Sequence, residues 1–321
     1  QAIETVYPED EDYYLSLMQY WQIAGDLTRE AFYLDRVASR LIQFEANYED
    51  ASALLNNFLE RCPTDDLLRN RFLNLSGELN RRRHHLDTAL DFSQQVLSND
   101  PTPVETVQAL ETIAAVHYFR GELPKATETW QKMVKLSQPL PDQIHHIVGL
   151  NNLGFVSFHQ ADYVAAKAYL TQSIVISRQI PDMDVLTLTN ALQNLAFVSL
   201  KLEDYGISRE YFLEALDYAY TARIIPLLLT TLTGLTHLEA LFNSVHRATQ
   251  WAGLVHDHVA LRPETRTTKL DPLITHLRTQ LSSEEFEAAF AQGKTLDLMD
   301  VVQSILDNGG DGLDGKPLVA F

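Results

Sequence analysis

Apolar and small residues recur along this chain in a fixed order. An apolar residue is followed three positions later by a second one, and the next position is small. About twelve positions further comes another small residue, with a large one four beyond it. The order is clearest at Leu150, Leu153, Gly154, Ala166 and Leu170, and it returns at Leu192, Leu195, Ala196, Ser208 and Phe212. Leu110, Ile113, Ala114, Ala126 and Trp130 repeat it. Weaker copies sit at Leu73, Gly77, Ala89 and Ser93, and at Leu232, Leu235, Ala248 and Ala252. A degenerate first copy begins at Asp35, with Ala38, Ser39, Ala51 and Leu55. The six starts are spaced by 38, 37, 40, 42 and 40 residues, a regularity that marks an internal repeat. Apolar positions three and four apart within each half predict amphipathic helices.

Two antiparallel helices that approach closely need a small side chain on each at the crossing. Gly154 against Ala166, Gly77 against Ala89 and Ala114 against Ala126 meet that need, and Trp130 and Phe212 then fill the groove toward the next pair. Turns are predicted at Gly121-Glu122-Leu123, Ala161-Asp162-Tyr163 and Glu203-Asp204-Tyr205. Pro101, Pro103, Pro139, Pro141, Pro181 and Pro226 fall between repeats, where proline ends one helix and opens the next. The pattern resembles the tetratricopeptide repeat, W-x2-L-G-x2-Y followed by A-x3-F and P, whose period is about 34 residues. The longer spacing here predicts helices longer by about a turn. The resemblance implies an all-α fold, a right-handed superhelix (an α-α solenoid) of about six helical hairpins with flanking helices and a concave face. The expected division is a lead-in helix over 1–26, the repeat array over 27–260, capping helices over 261–306 and a flexible acidic Gly/Asp tail over 307–321.

Composition agrees with a folded helical chain: 45% of the 321 residues are apolar and 21% charged, with 13 glycines and 12 prolines. The net charge of −18 repels phosphate backbones and anionic lipid, so neither nucleic acid nor membrane is expected as a direct partner. Cys62 is the single cysteine. It is expected to be a small buried hydrophobe near a helix end, and lone cysteine usage fits a reducing, cytoplasmic setting. The start is acidic and polar, unlike a secretory signal, and Gln1 in place of Met suggests a part of a longer polypeptide. The most apolar stretch, Ile224 to Phe242, carries His237 and Glu239 and repeated threonines, which argues against a membrane span.

Two flanking segments narrow the resemblance. Tyr20-Trp21-Gln22-Ile23-Ala24-Gly25-Asp26-Leu27 precedes the first repeat, and Leu281 to Leu306 follows the last. Together they are similar to the flanks of the C-terminal sensor region of bacterial STAND regulators of the MalT, AfsR and LuxR-like type. There an "AGD" turn leads into the array, and an "L-x-x-E-x-F-x-x-A-x-x-x-G-x-x-L" element closes it. Leu281, Glu284, Phe286, Ala289, Gly293 and Leu296 fit that element, and Leu306 the final helix. The resemblance implies a cytoplasmic sensor domain that regulates an attached NTPase and contributes to a transcriptional regulator. Neither a phosphate-binding G-x-x-x-x-G-K-[ST] loop nor a helix-turn-helix is present. Gly293-Lys294-Thr295 has Ala288 where the leading glycine belongs.

Little in the chain suggests chemistry. His84-His85 and His145-His146 are adjacent and His256-Asp257-His258 is spaced by two, so no pair shares a helical face, and no metal site is expected. Nucleophile motifs such as G-x-S-x-G are absent, so neither catalytic residues nor a cofactor are expected. Gly309 to Asp314 reads G-G-x-G-x-D, the start of a calcium-binding nonapeptide, but a single copy cannot stack into a β-roll.

Function is therefore expected on the concave face, which the first helix of each hairpin lines. The early repeats present Arg36, Arg40, Arg71, Asn74, Arg81 and Arg82, a basic group able to grip a carboxylate or phosphate. The same arginines also read as a solvated face paired with nearby acids. Middle repeats present Tyr118, Phe119, Phe155, Phe158 and Phe197 beside Asn151, Asn152, Asn190 and Asn194. Many tetratricopeptide domains hold an extended peptide's backbone with an asparagine at the position of Asn152 and Asn194, since an amide donates and accepts at once. Alternatively, the phenylalanines are core and the asparagines tie adjacent helices. The function expected is a sensor or interaction solenoid taking a protein, peptide or small effector, with oligomerisation through a longer protein conceivable. A pure scaffold solenoid is the alternative.

Overall fold

A computed structural model of the chain describes residues 13–43, 45–64, 66–181, 183–242 and 244–308. The G-G-x-G-x-D tail beyond Asn308 and the first twelve residues lie outside these. Among the described residues every regular element is helical. Helix α1 (Tyr14–Ala24) leads into α2 (Leu27–Gln43) and α3 (Tyr48–Arg61), then α4 (Arg69–Arg82) and α5 (Leu86–Ser98). Next come α6 (Pro103–Phe119) with α7 (Leu123–Ser137), and α8 (Ile144–His159) with α9 (Tyr163–Ser177). The last pairs are α10 (Val185–Lys201) with α11 (Tyr205–Thr221), and α12 (Ile225–Phe242) with α13 (Val245–His256). Pro263–Thr265 forms one helical turn that runs into a π-helical stretch, Arg266–Leu270. Helices α14 (Asp271–Gln280), α15 (Ser283–Gly293) and α16 (Leu298–Asp307) complete the described chain. The six hairpins are those the repeat predicts.

Turn chemistry explains why the pairs fold back so tightly. His84, Gly121, Ala161 and Glu203 stand in the left-handed region, with φ of 58, 75, 61 and 61°. In each case the next residue's N–H reaches a carbonyl five residues back: His85 to Asn80, Glu122 to His117, Asp162 to Ser157 and Asp204 to Ser199, at 2.8–2.9 Å. This helix-ending motif normally carries glycine, yet only one of the four turns has it. Several helices, first and second members of the hairpins alike, start on side-chain caps. Asp162 accepts from the Ala165 N–H at 3.0 Å. Thr102 and Glu105 form a reciprocal capping box ahead of Pro103.

The chain forms two compact units, Gln1–Gly149 and Leu150–Phe321, and the division falls within α8. In the first unit the Phe58 and Phe72 rings meet at a tilt, with centres 4.3 Å apart, in a core that also holds Trp21, Leu34 and Leu55. Cys62 ends α3 and is buried there. Gly77 lies under α5, where an added Cβ would sit 3.1 Å from Ser93 Oγ and 3.5 Å from the Ala89 carbonyl oxygen. Buried Glu30 receives a bidentate pair from Arg61, with Nη1 to Oε2 at 3.0 Å. Successive hairpins are also bound at about one repeat's separation, through Arg71–Asp35 at 2.5 Å, Arg83–Glu49 at 2.9 Å and Arg120–Asp87.

The second unit packs around α12, whose residues from Leu227 to Leu235 are buried throughout. This helix is long and apolar enough to cross a membrane, and its burial shows why: it is the core helix of the unit. Lys167–Asp204 at 2.5 Å and Arg178–Glu214 at 2.6 Å repeat the one-repeat pairing. The side chain over Gly154 is that of Leu170, four residues beyond the expected Ala166. A Cβ at position 154 would lie 2.8 Å from Leu170 Cδ2. The closing element is a helix contact as well. Phe286, Ala289 and Gly293 turn inward from α15 onto α13 so closely that Gly253 and Gly293 meet the opposite backbone, at Phe290 and Gln250.

Candidate functional site

In the second unit the first helices of the hairpins, α8, α10 and α12, carry polar and aromatic side chains, of which some tie neighbouring helices and some, Phe197 among them, belong to the core. Asn194 donates to the Asn151 amide oxygen at 3.2 Å, linking α10 to α8. Asn190 donates to the Leu186 carbonyl at 2.8 Å, one turn back on its own helix. Phe155 and Phe158 both meet the His159 ring edge-on, at 4.6 and 5.7 Å. Phe158 also packs against Tyr163 at 5.6 Å. Phe197 is buried against Phe212 at 4.8 Å. The Asn152 side chain makes no hydrogen bond among the described residues and is half-buried.

Across this face runs the segment Arg262–Lys269, which the repeat pattern does not reach. Arg262 donates to the Asn190 amide oxygen at 3.2 Å. Glu264 approaches His159 Nε2 at 3.5 Å. Thr265 and Thr230 hydroxyls meet at 3.2 Å, and Lys269 Nζ lies 4.2 Å from the centre of the Phe197 ring. The His237 ring bonds the Lys269 backbone, and Arg266 reaches the His256 carbonyl. All three first helices of the unit are thus touched by eight consecutive residues.

Electrostatics mark this segment as imperfectly housed. Burial lowers the Lys269 ammonium to about 8, and the carboxylate that supports its charge, Glu264, belongs to the segment itself. Burial also pushes the Glu264 carboxyl upward, but its bond to His159 and the nearby Lys269 and Arg262 charges leave it below its usual range. His237 is lowered to about 4, chiefly by burial and then by Lys201, with His276 and Lys269 acting in the same direction.

The arginines of the early repeats lie in the first unit, and most have partners. Arg40 pairs with Glu45 at 2.7 Å, Arg71 with Asp35 at 2.5 Å and Arg82 with Glu78 at 2.9 Å. Arg36 covers the Phe32 ring at 3.6 Å and donates to that residue's carbonyl at 3.0 Å. Asn74 is buried, donating to the Glu105 carbonyl at 3.1 Å and to Gln108 at 3.3 Å. Arg81 is half-buried and makes no ion pair among the described residues. Tyr118 stacks edge-on with Phe119 at 5.6 Å and lies 6.3 Å from Trp130.

A second concavity in the later unit, about 730 Å³, is lined among others by Arg209, Glu239, Arg247, Trp251, Asp297 and Asp300. Glu239 and Arg247 satisfy one another there at 2.5 Å. Among the described residues no three His, Cys, Asp or Glu side chains converge to hold a metal ion.

No protein-family model matches the chain, and no curated protein is significantly similar to it. Solved structures do resemble it. BtubC (BKLC) from P. vanneervenii superposes with a TM-score of 0.55 at 16% identity, over 67% of this chain and 91% of that one. The STAND protein with a tetratricopeptide repeat sensor from Pyrococcus horikoshii gives a TM-score of 0.53 at 11% identity, over 96% of this chain. Only 46% of that longer protein is spanned. At such identities the likeness is one of fold, and the fold is the tetratricopeptide-type α-α solenoid.

Proposed function

We propose that this chain is a non-catalytic sensor domain, binding a peptide or protein segment on the first-helix face of α8, α10 and α12 and regulating an attached STAND-type NTPase. The observation that carries the reading is that this face already receives a stretch of polypeptide through side-chain bonds from Asn190, His159, Thr230 and Phe197. Amide, imidazole and hydroxyl groups set over aromatic rings can meet a peptide's polar groups and apolar side chains together. The AGD turn and the closing α15 element support the regulatory part. So does the similarity of nearly the whole chain to part of a STAND protein that carries a tetratricopeptide sensor.

Asn152 and Phe155 are the residues to perturb, because Asn194 and Asn151 also join two helices. Wild-type and Asn152→Arg/Phe155→Ala chains are immobilised, exposed to cell extract, and their bound peptides, proteins and metabolites compared by mass spectrometry. A partner of this face is recovered at least tenfold less on the variant; equal recovery of every species overturns the assignment. With the full gene product, addition of that partner changes the NTP turnover rate, and an unchanged rate removes the regulatory half.

A further inference from the structure

The groove of the second unit is occupied by the chain itself. We infer that Arg262–Lys269 is a displaceable internal ligand, which a partner peptide must replace to reach Asn190, Phe197 and His159. This rests on the function proposed above and adds the device that controls access.

Four observations converge. First, the segment is anchored at its ends: Leu261 and Leu270 are buried in the unit's core, as is Thr265 midway, while Pro263, Glu264, Thr267 and Thr268 are exposed. Its interior can therefore lift while the chain on either side stays folded. Second, its contacts with the first helices run largely through side chains, at Arg262, Glu264, Thr265 and Lys269; the backbone contribution is the bond from His237. Such a seating separates more readily than the hydrogen-bonded interior of a helix. Third, residues 266–270 follow the wider π-helical winding, which is rare and concentrates at functional positions. Fourth, among the described residues the groove supplies an aromatic face but no carboxylate for Lys269. The ammonium stays desolvated, with its acidity raised toward neutral pH.

An occupant that carries an uncharged apolar side chain over Phe197, and keeps a carboxylate for His159, satisfies the same groove better. The partner class is thus a peptide with an acidic residue and, about five positions on, an aliphatic one. While the segment is docked, apparent affinity for that partner is reduced by the fraction of chains in the open state.

Two measurements test this. In hydrogen–deuterium exchange on the wild-type chain, amides of 264–269 exchange at least a hundredfold faster than those of α12, through local opening. Exchange as slow as that of α12 would show that the segment leaves only on global unfolding, and would overturn the inference. The second measurement uses two fluorescein-labelled synthetic peptides, one with the sequence of residues 260–271 and one bearing Lys269→Leu. An Arg262→Ala/Lys269→Ala chain, checked for an unchanged circular dichroism spectrum, binds the first peptide at least tenfold more tightly than wild type, and the Lys269→Leu peptide more tightly still. Equal affinity of the two chains, or no binding to either, overturns it. Both readouts need no natural partner. Failure here together with loss of partner capture in Asn152→Arg/Phe155→Ala would leave the groove reading standing and remove only the internal ligand.

Discussion

Replacing single glycines by alanine should grade the helix crossings by what lies above each one. Alanine gains about 1 kcal/mol over glycine inside a helix, so each substitution starts with that credit. At Gly77 the new Cβ sits 3.1 Å from Ser93 Oγ, a hydroxyl that yields by a small rotation. Gly77→Ala should therefore be neutral or stabilising by up to about 1 kcal/mol. At Gly154 the obstacle is Leu170, met first at Cγ and then at Cδ2, 2.8 Å away. Rotating the leucine tip leaves Cγ in place, so the whole side chain must shift in a close-packed interior, and a net loss of about 1–2 kcal/mol is expected. Gly253 and Gly293 differ in kind. The first would press on the Phe290 backbone, with its carbonyl carbon at 3.1 Å; the second would lie 2.7 Å from the carbonyl carbon of Gln250. No rotamer relieves a main-chain collision. Helices α13 and α15 must separate by about 1 Å, loosening the contacts of Phe286, Ala289 and Phe290, and overpacking of this kind costs about 1–3 kcal/mol beyond the propensity gain. Guanidinium denaturation of the four variants, followed by circular dichroism, checks the order. If Gly253→Ala and Gly293→Ala match wild type while Gly77→Ala is damaged, the packing argument is wrong.

Other expectations follow from equally local features. Arg61→Ala leaves the buried Glu30 carboxylate without its bidentate partner and should destabilise the first unit by about 3 kcal/mol in urea titration; a loss under 1 kcal/mol would mean that water reaches Glu30. His84→Gly, Ala161→Gly and Glu203→Gly each relieve a left-handed backbone and should raise stability by about 0.5–1 kcal/mol, read as a higher melting temperature. His237 has a native value near 4 against about 6.5 when unfolded, and the groups facing it are Lys201, Lys269 and His276. Above pH 6.5 neither state binds the proton. Between 6.5 and 4 only the unfolded state does, so stability falls with falling pH by about 1.4 kcal/mol per unit, roughly 3 kcal/mol in total. His237→Gln should flatten that slope by about one proton in denaturation midpoints measured from pH 4 to 7, and an identical slope would exclude the residue as the source.

The hairpins could be read from sequence because each must solve the same contact problem with small residues at the same places. Gly77, Ala89, Ala114 and Ala126 are forced by helix approach, and their spacing is visible without partners. The lateral ties were not visible. Asp35 with Arg71, Glu49 with Arg83 and Arg178 with Glu214 join residues 34–36 apart, and charges occur too often for such a distance to stand out. Most of the early arginines and Asn74 consequently read either as a binding surface or as a face paired with nearby acids, and Arg40, Arg71, Arg82 and Asn74 are engaged by their own chain. Arg262–Lys269 escaped for a different reason. It belongs to no repeat, and its seating on Asn190, His159 and Phe197 depends on the path the chain takes from α13 into the helical turns ahead of α14. Its trace in the sequence was two cations bracketing Pro263 and Glu264 in an otherwise acidic chain. The AGD turn, by contrast, has a local cause: Gly25 takes φ +75° to end α1, and Asp26 accepts the Arg29 N–H at 3.1 Å to start α2.

The main-chain meeting of α15 with α13 has a consequence for growth of the array. In a stacked-repeat architecture, the outward side of each second helix is the template on which the next hairpin settles. With Gly253 and Gly293 bringing two backbones into contact, that template is consumed by a helix of different pattern, and a further pair inserted after His256 would find no seat. The same closure covers the outward side of α13, so within the described residues the succession of like hairpins gives way at this point to helices of another pattern.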